Sequence, residues 1–207
     1  MRKYFLAGSI ASGKSTVARE LERLGARRID LDEVSREVCS AGSSTVLRLA
    51  EAFGADVMDA QTLELRRDVL AQRAFASEES TRMLESITHP AIFEELERQL
   101  AKCADGADGA DGVCVVEVPL LDRALEYKSL VDGIVCVVCP TDVRRKRAQG
   151  RGMDPEDFDR RNAQQPSQEY LMRHADVTFV NDKDEEALVA QVSAWWNKAR
   201  DAACRGE

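Results

Sequence analysis

Eight consecutive residues, Gly8-Ser9-Ile10-Ala11-Ser12-Gly13-Lys14-Ser15, fit the pattern G-x-x-x-x-G-K-[ST], and Thr16 follows them. A polyphosphate needs several backbone N–H groups aimed at it. Glycine-rich backbone at the start of a helix supplies them, together with the positive end of the helix dipole. In such a P-loop Lys14 brings a point charge to the β- and γ-phosphates, and the Ser15 hydroxyl is a ligand for Mg2+. The motif predicts a mononucleotide site. Alone it does not separate kinases from GTPases, motors or ATPases.

Three further groups have the chemistry to complete such a site. Asp30-Leu31-Asp32 closes an apolar stretch. If that stretch is a strand, the two carboxylates point the same way, where one of them accepts or orients a hydroxyl proton. Asp32 has a second reading as the cap of a helix over 34–40. Glu117 precedes Pro119-Leu120-Leu121 at the end of another apolar run, a position for an acid that holds Mg2+ directly or through water. Residues 144–151 carry five Lys or Arg in eight. Arginines that close over a phosphoryl group stabilise the charge of its transition state and exclude water. Arg147 and Arg151 are the two expected to reach phosphate, with the others solvated.

These side chains need a scaffold. Apolar, β-favouring runs at 3–7, 28–31, 113–118, 134–138 and 177–180 predict five strands, and near-continuous runs such as Val113-Cys114-Val115-Val116 suggest strands buried on both faces. Helical spacing lies between them, so the fold class is α/β with a parallel sheet. The first helix is expected to start at Gly13, bury Val17, Ala18, Leu21 and Leu24, and end at Gly25. No strand is expected over 34–103, where Pro90 reads as the first turn of a helix. Two short helices joined by a glycine-containing turn follow the fourth strand, and a closing helix spans 185–203. Residues 104–112, Ala-Asp-Gly-Ala-Asp-Gly-Ala-Asp-Gly, read as a solvated linker.

The chain has 207 residues and a net charge of -8, with 44% hydrophobic and 32% charged residues. That composition excludes collagen-like and disordered classes, and the negative charge argues against nucleic acid as a partner. The four apolar residues after Arg2-Lys3 are too few for a signal-peptide core, and no run approaches the ~20 apolar residues of a membrane span. A cytoplasmic protein with no membrane partner is expected. Of the six cysteines, Cys136 and Cys139 have the spacing of half a zinc site, but no second such pair exists. Buried thiols are the expectation.

Beyond the P-loop and Ile29-Asp30-Leu31-Asp32, the chain shows Phe53-Gly54, Arg67-x-x-Leu70 to Phe75, Leu84-Glu85, His89-Pro90-x-Ile92 and Val118-Pro119-Leu120-Leu121. Arg147-x-x-x-Arg151, Gln165, Ala175-Asp176 and Asn181 follow. In this ordered set it resembles the dephospho-CoA kinase family over nearly its whole length. The resemblance implies a three-layer α/β/α P-loop kinase core with a five-stranded parallel sheet over 1–33, 113–140 and 175–207. It implies a helical substrate domain over 34–112 and a lid over 141–174. The reaction implied moves the γ-phosphate of ATP, with Mg2+, to the ribose 3′-hydroxyl of dephospho-CoA, the last step of coenzyme A biosynthesis. Asp32, Lys14 and Arg147 then match catalytic positions. Residues 8–16, Arg147, Arg151 and Asn181 match ATP-binding positions, and Ser15 and Glu117 match metal positions. Asp32, Arg67, His89, Pro119 and Leu120 fall where substrate is met. A monomer or weak homo-oligomer is expected.

The chain departs from the family at three points. Ala11 stands where the family usually has glycine, and an alanine fits there without strain if its φ is negative. Glu117 stands near where some members carry Asp, and Asp122-Arg123 where Phe-Glu is common. On the residues alone, a nucleoside or nucleoside monophosphate kinase and a nucleotide-dependent switch remain open beside this reading.

Overall fold

The structure, a computed structural model, describes residues 1–104 and 112–205; the Asp-Gly run expected as a linker falls almost entirely outside them. Five strands, β1 (Arg2–Gly8), β2 (Arg27–Asp30), β3 (Val113–Glu117), β4 (Gly133–Val138) and β5 (Val177–Val180), form one sheet in the order β2-β3-β1-β4-β5. Every pairing is parallel. Successive side chains of a strand alternate between faces. Leu6, Val113, Val115, Val135 and Val137 join one core with Val17, Ala18 and Leu21 of α1 (Lys14–Arg23) and Leu188, Val192 and Trp196 of α10 (Glu185–Arg205). The alternate set, Phe5, Cys114, Val116, Ile134 and Cys136, is fully buried as well. The sheet is therefore covered on both faces, which is what its unbroken apolar runs require.

The remaining helices are α2 (Leu31–Val38), α3 (Ser44–Phe53), α4 (Arg67–Ala74), α5 (Glu78–Ala104), α6 (Leu121–Ala124), α7 (Thr141–Gly150), α8 (Pro155–Ala163) and α9 (Gln168–His174). The chain divides into two compact units, Met1–Leu31 with Leu100–Glu207, and Asp32–Gln99. Residues 141–174 belong to the first. The second has its own core of Cys39, Val46, Leu49, Val57, Leu70, Ala74 and Ile87, and its only extended pairing among the described residues is an isolated bridge between Met58 and Leu65.

Three expectations are corrected. β2 ends at Asp30 and α2 begins at Leu31, so Asp30 and Asp32 are not alternate residues of one strand, and Asp32 is a first-turn residue rather than a cap. Acidic Asp32 and Glu33 suit a helix start, where they oppose the dipole. Gly13 precedes α1 as its N-cap, with φ 100. Pro90 lies inside α5 rather than at its beginning. A proline there removes one helical bond, but Ile87 before it and Ile92 and Leu96 after it are all buried, so the apolar stripe holds the helix continuous. The Thr88 hydroxyl donates to the Leu84 carbonyl at 2.9 Å in the same turn.

The described cysteines, Cys39, Cys103, Cys114, Cys136 and Cys139, are buried and free. Burial pushes the Cys136 thiol up from the ordinary 9.0 to about 12.

Candidate active site

The P-loop leaves the carboxyl end of β1, the strand between β3 and β4 where the chain order of the sheet reverses. Open parallel sheets hold ligands at this point. Two glycines are fixed there by contact. A Cβ on Gly8 would lie 2.7 Å from the Ser12 hydroxyl and 2.9 Å from the Val137 carbonyl. A Cβ on Gly13 would lie 2.2 Å from Asn181 Nδ2. The Asn181 amide donates to the Ser12 carbonyl at 2.8 Å, and its Oδ1 accepts from Arg147 at 3.2 Å. One buried side chain at the end of β5 thus joins the loop to α7. The condition for an unstrained Ala11 is not met: it has φ 59, in the left-handed region.

Lys14 Nζ donates to the Val118 carbonyl at 2.8 Å and lies 3.5 Å from Glu117. Glu117 is buried, and Arg28 of β2 donates to it from two nitrogens at 2.7 and 3.0 Å. The parallel register sets Asp30 opposite Glu117, and Arg28 lies 3.7 Å from Asp30. The end of β3 therefore presents a carboxylate that is balanced by two cations, one from the P-loop helix and one from the neighbouring strand.

Helix α8 and the residues that directly follow α7 and α8 line the other side. A cleft of about 390 Å³ has residues 8–15 as its floor and Glu117, Pro119 and Leu120 on one wall; Arg151, Arg161, Gln164 and Gln165 face them. A second cleft of about 240 Å³ shares Ala11, Gly13 and Arg151 with it and adds Thr16, Arg147 and Asn181. Arg147 also donates to the Lys183 carbonyl. Arg144, expected to be solvated, is buried at 3% exposure. It donates to Asn162 at 2.9 Å, Thr141 at 3.0 Å, the Cys139 carbonyl at 3.1 Å and the Ile10 carbonyl at 3.4 Å, which satisfies a guanidinium taken out of water. Burial lowers its pKa. Arg145 is partly exposed, paired with Asp159 at 2.9 Å and with its guanidinium 5.5 Å from the centre of the Phe158 ring.

Arg161 was not singled out by its sequence surroundings. The signal available was its place in the second basic pair, Arg160-Arg161, on the helix announced by Asp154-Pro155, with the Asp154 carboxylate capping Glu156 N–H at 2.8 Å. Asp32, Arg67 and His89 lie in the Asp32–Gln99 unit. Arg67 lines a largely apolar cavity of about 200 Å³ there with Cys39, Leu49, Phe75 and Leu84.

Mg2+ takes oxygen ligands and keeps several waters, so one or two protein oxygens beside phosphate suffice. The Ser15 hydroxyl and the Glu117 carboxylate, both lining the larger cleft, fit that donor set. No cluster of three or more His, Cys, Asp or Glu able to hold an ion exists among the described residues. No helix among the described residues is long and apolar enough to cross a membrane.

Comparison with known proteins extends this geometry. Residues 5–186 match the family model described as dephospho-CoA kinase. The chain is 38% identical over 203 residues to a dephospho-CoA kinase of Corynebacterium diphtheriae, covering 96% of this chain and 97% of that one. It is 32% identical to that of Aquifex aeolicus, covering 93% and 94%. Among solved structures, a Thermus thermophilus protein matches with a TM-score of 0.77 at 25% identity, covering 95% and 97%. The Campylobacter jejuni dephospho-CoA kinase shares the fold with a TM-score of 0.63 at 21% identity, covering 96% and 97%. On the family match and the similarity of these relatives along almost their full length, the chain belongs to the dephospho-CoA kinase family, ATP-using kinases that phosphorylate dephospho-CoA to give CoA.

Proposed function

We propose that the two connected clefts bind ATP, that Asp32 activates the ribose 3′-hydroxyl of dephospho-CoA, and that the γ-phosphate passes between them. The observation that carries this reading is the P-loop cleft itself, with Lys14 on its floor and Arg151 and Arg161 facing it. The backbone N–H groups of the loop and of the first turn of α1 hold the phosphates. Lys14, now resting on the Val118 carbonyl and near Glu117, turns to the β- and γ-phosphates. Arg151 and Arg161 carry the charge that spreads over the transferring group, a larger role for Arg161 than its sequence neighbourhood suggests. Arg147 and Asn181, linked at 3.2 Å, border the smaller cleft that takes the nucleoside.

Ser15 and, through water, Glu117 would hold Mg2+, which would supply withdrawal of charge from the phosphates. Glu117 keeps Arg28 as a partner, which favours contact through water over a direct bond. Asp32 stands at the first turn of α2, two residues beyond the strand end that is in register with Glu117. There it takes the proton of the hydroxyl as the new P–O bond forms and the bond from the γ-phosphorus to the departing ADP oxygen breaks. In this reading 1–33, 113–140 and 175–207 are the nucleotide core and 141–174 the lid. Residues 34–112 are the substrate domain, and Arg67, His89, Pro119 and Leu120 are the residues assigned to the acceptor. The cytoplasm, where ATP is made available, is the compartment this reading assigns.

The test is ADP release with dephospho-CoA beside adenosine, AMP and shikimate, with NMR of the product. Turnover with dephospho-CoA and phosphate on the 3′-oxygen is expected. Asp32→Asn should cut turnover on the order of 10²-fold or more with ATP affinity nearly unchanged. Unchanged turnover would remove Asp32 from the chemistry.

A further inference from the structure

The P-loop holds one residue in a conformation its chemistry disfavours. At φ 59 the Cβ of Ala11 crowds the backbone, a strain that shifts a two-state equilibrium by roughly tenfold. Such backbone persists only where its surroundings over-determine it. Here the surroundings do so from both sides. Ile10 N–H donates to Gln165 Oε1 at 2.7 Å, and the Ile10 carbonyl accepts from Arg144 at 3.4 Å. The Ser12 carbonyl accepts from Asn181 at 2.8 Å. Both polar groups of the residue before Ala11, and one of the residue after it, are held by side chains from outside the loop. The Gln165 contact is the shortest of the three, and it comes from the segment between α8 and α9.

We propose that Gln165 is a positioning residue. Through Ile10 N–H it holds the loop in its nucleotide-accepting shape against the strain at Ala11. The proposal rests on the ATP-site reading above, and it makes the importance of Gln165 depend on what occupies position 11. Apparent affinity scales with the fraction of molecules in the competent shape. Where the strained wild-type loop is competent in about half of molecules, removing a hydrogen bond worth about tenfold weakens ADP binding about fivefold. With glycine at position 11 the burden is gone, and the same removal weakens binding less than about twofold.

The experiment is a double-mutant cycle read by calorimetric titration of ADP into wild type, A11G, Q165M and A11G/Q165M. Methionine keeps the length and bulk of Gln165 without the acceptor, and Gln165→Ala is measured beside it so that altered packing in one variant does not decide the result. The expected outcome is a loss in Q165M that A11G restores, together with a raised KM for ATP and little change in kcat. Equal losses in the two backgrounds overturn the proposal, as does Q165M binding like wild type. Wild type that binds no ADP at all would instead remove the ATP-site reading, so the two failures are distinguishable.

Discussion

An alanine at position 13 would have to meet two demands at once. It would need to adopt φ 100, which costs a residue with a Cβ about 1–2 kcal/mol, and it would have to displace Asn181, whose amide nitrogen stands 2.2 Å from the added carbon. Moving that amide breaks its bond to the Ser12 carbonyl and loosens its contact with Arg147, leaving buried polar groups unpaired at about 1–3 kcal/mol. Together these predict a loss of roughly 2–5 kcal/mol. For a chain of this size that lowers the melting temperature by about 10 °C. Gly152→Ala is the control. That residue has a similar φ of 83 but nothing within 4 Å of its Cβ position, so it pays the backbone strain alone and loses about 4 °C. The smaller unfolded-state gain of an alanine is common to both variants and cancels. Thermal unfolding of the two proteins, followed by circular dichroism, reads the difference. If they melt within about 2 °C of each other, Asn181 does not brace the loop as its contacts imply.

Two other outcomes follow from burial. Arg144→Ala strips hydrogen bonds from four acceptors in a buried setting and should cost about 3 kcal/mol. Arg145→Ala, one residue along, removes an exposed ion pair with Asp159 and should cost at most about 1 kcal/mol; urea unfolding that gave the two equal costs would contradict the structure. Cys136 is neutral in the folded protein up to about 12 but ionises near 9.0 once exposed. The unfolded state therefore binds fewer protons than the folded state between those values, and stability falls as pH rises through that window by about 1.4 kcal/mol per pH unit for this group. Cys136→Ala should flatten the alkaline limb of a stability–pH curve by that slope, and an unchanged limb would refute the assignment.

Much of this was legible from the chain itself because the controlling interactions are local. The strands were readable because a sheet covered on both faces needs unbroken apolar runs, and the P-loop because its backbone geometry demands glycine at Gly8 and Gly13. The misses share a different cause. Pro90 carries a strong local signal for a helix start, but burial of Ile87, Ile92 and Leu96 outweighs it. Leu31 looks like a strand residue, yet the acids around it favour a helix start. Arg144 and Arg145 are the same residue type side by side, and only the acceptors gathered from Ile10, Cys139, Thr141 and Asn162 decide which is buried. Nothing in the local sequence specifies those distant partners, and the same holds for the hydrogen bond from Ile10 to Gln165.

The strand order has a consequence for synthesis. β1 precedes both of its neighbours in the sheet, β3 and β4, which begin only at Val113 and Gly133. At roughly 5–20 residues per second, β1 and the loop after it wait several seconds or more for any strand to pair with. During that interval both edges of β1 lack their partners, and the nucleotide site does not yet exist. ATP can therefore stabilise the finished chain but cannot template its beginning. A nascent chain halted before β4 should gain no protection from proteolysis when nucleotide is added.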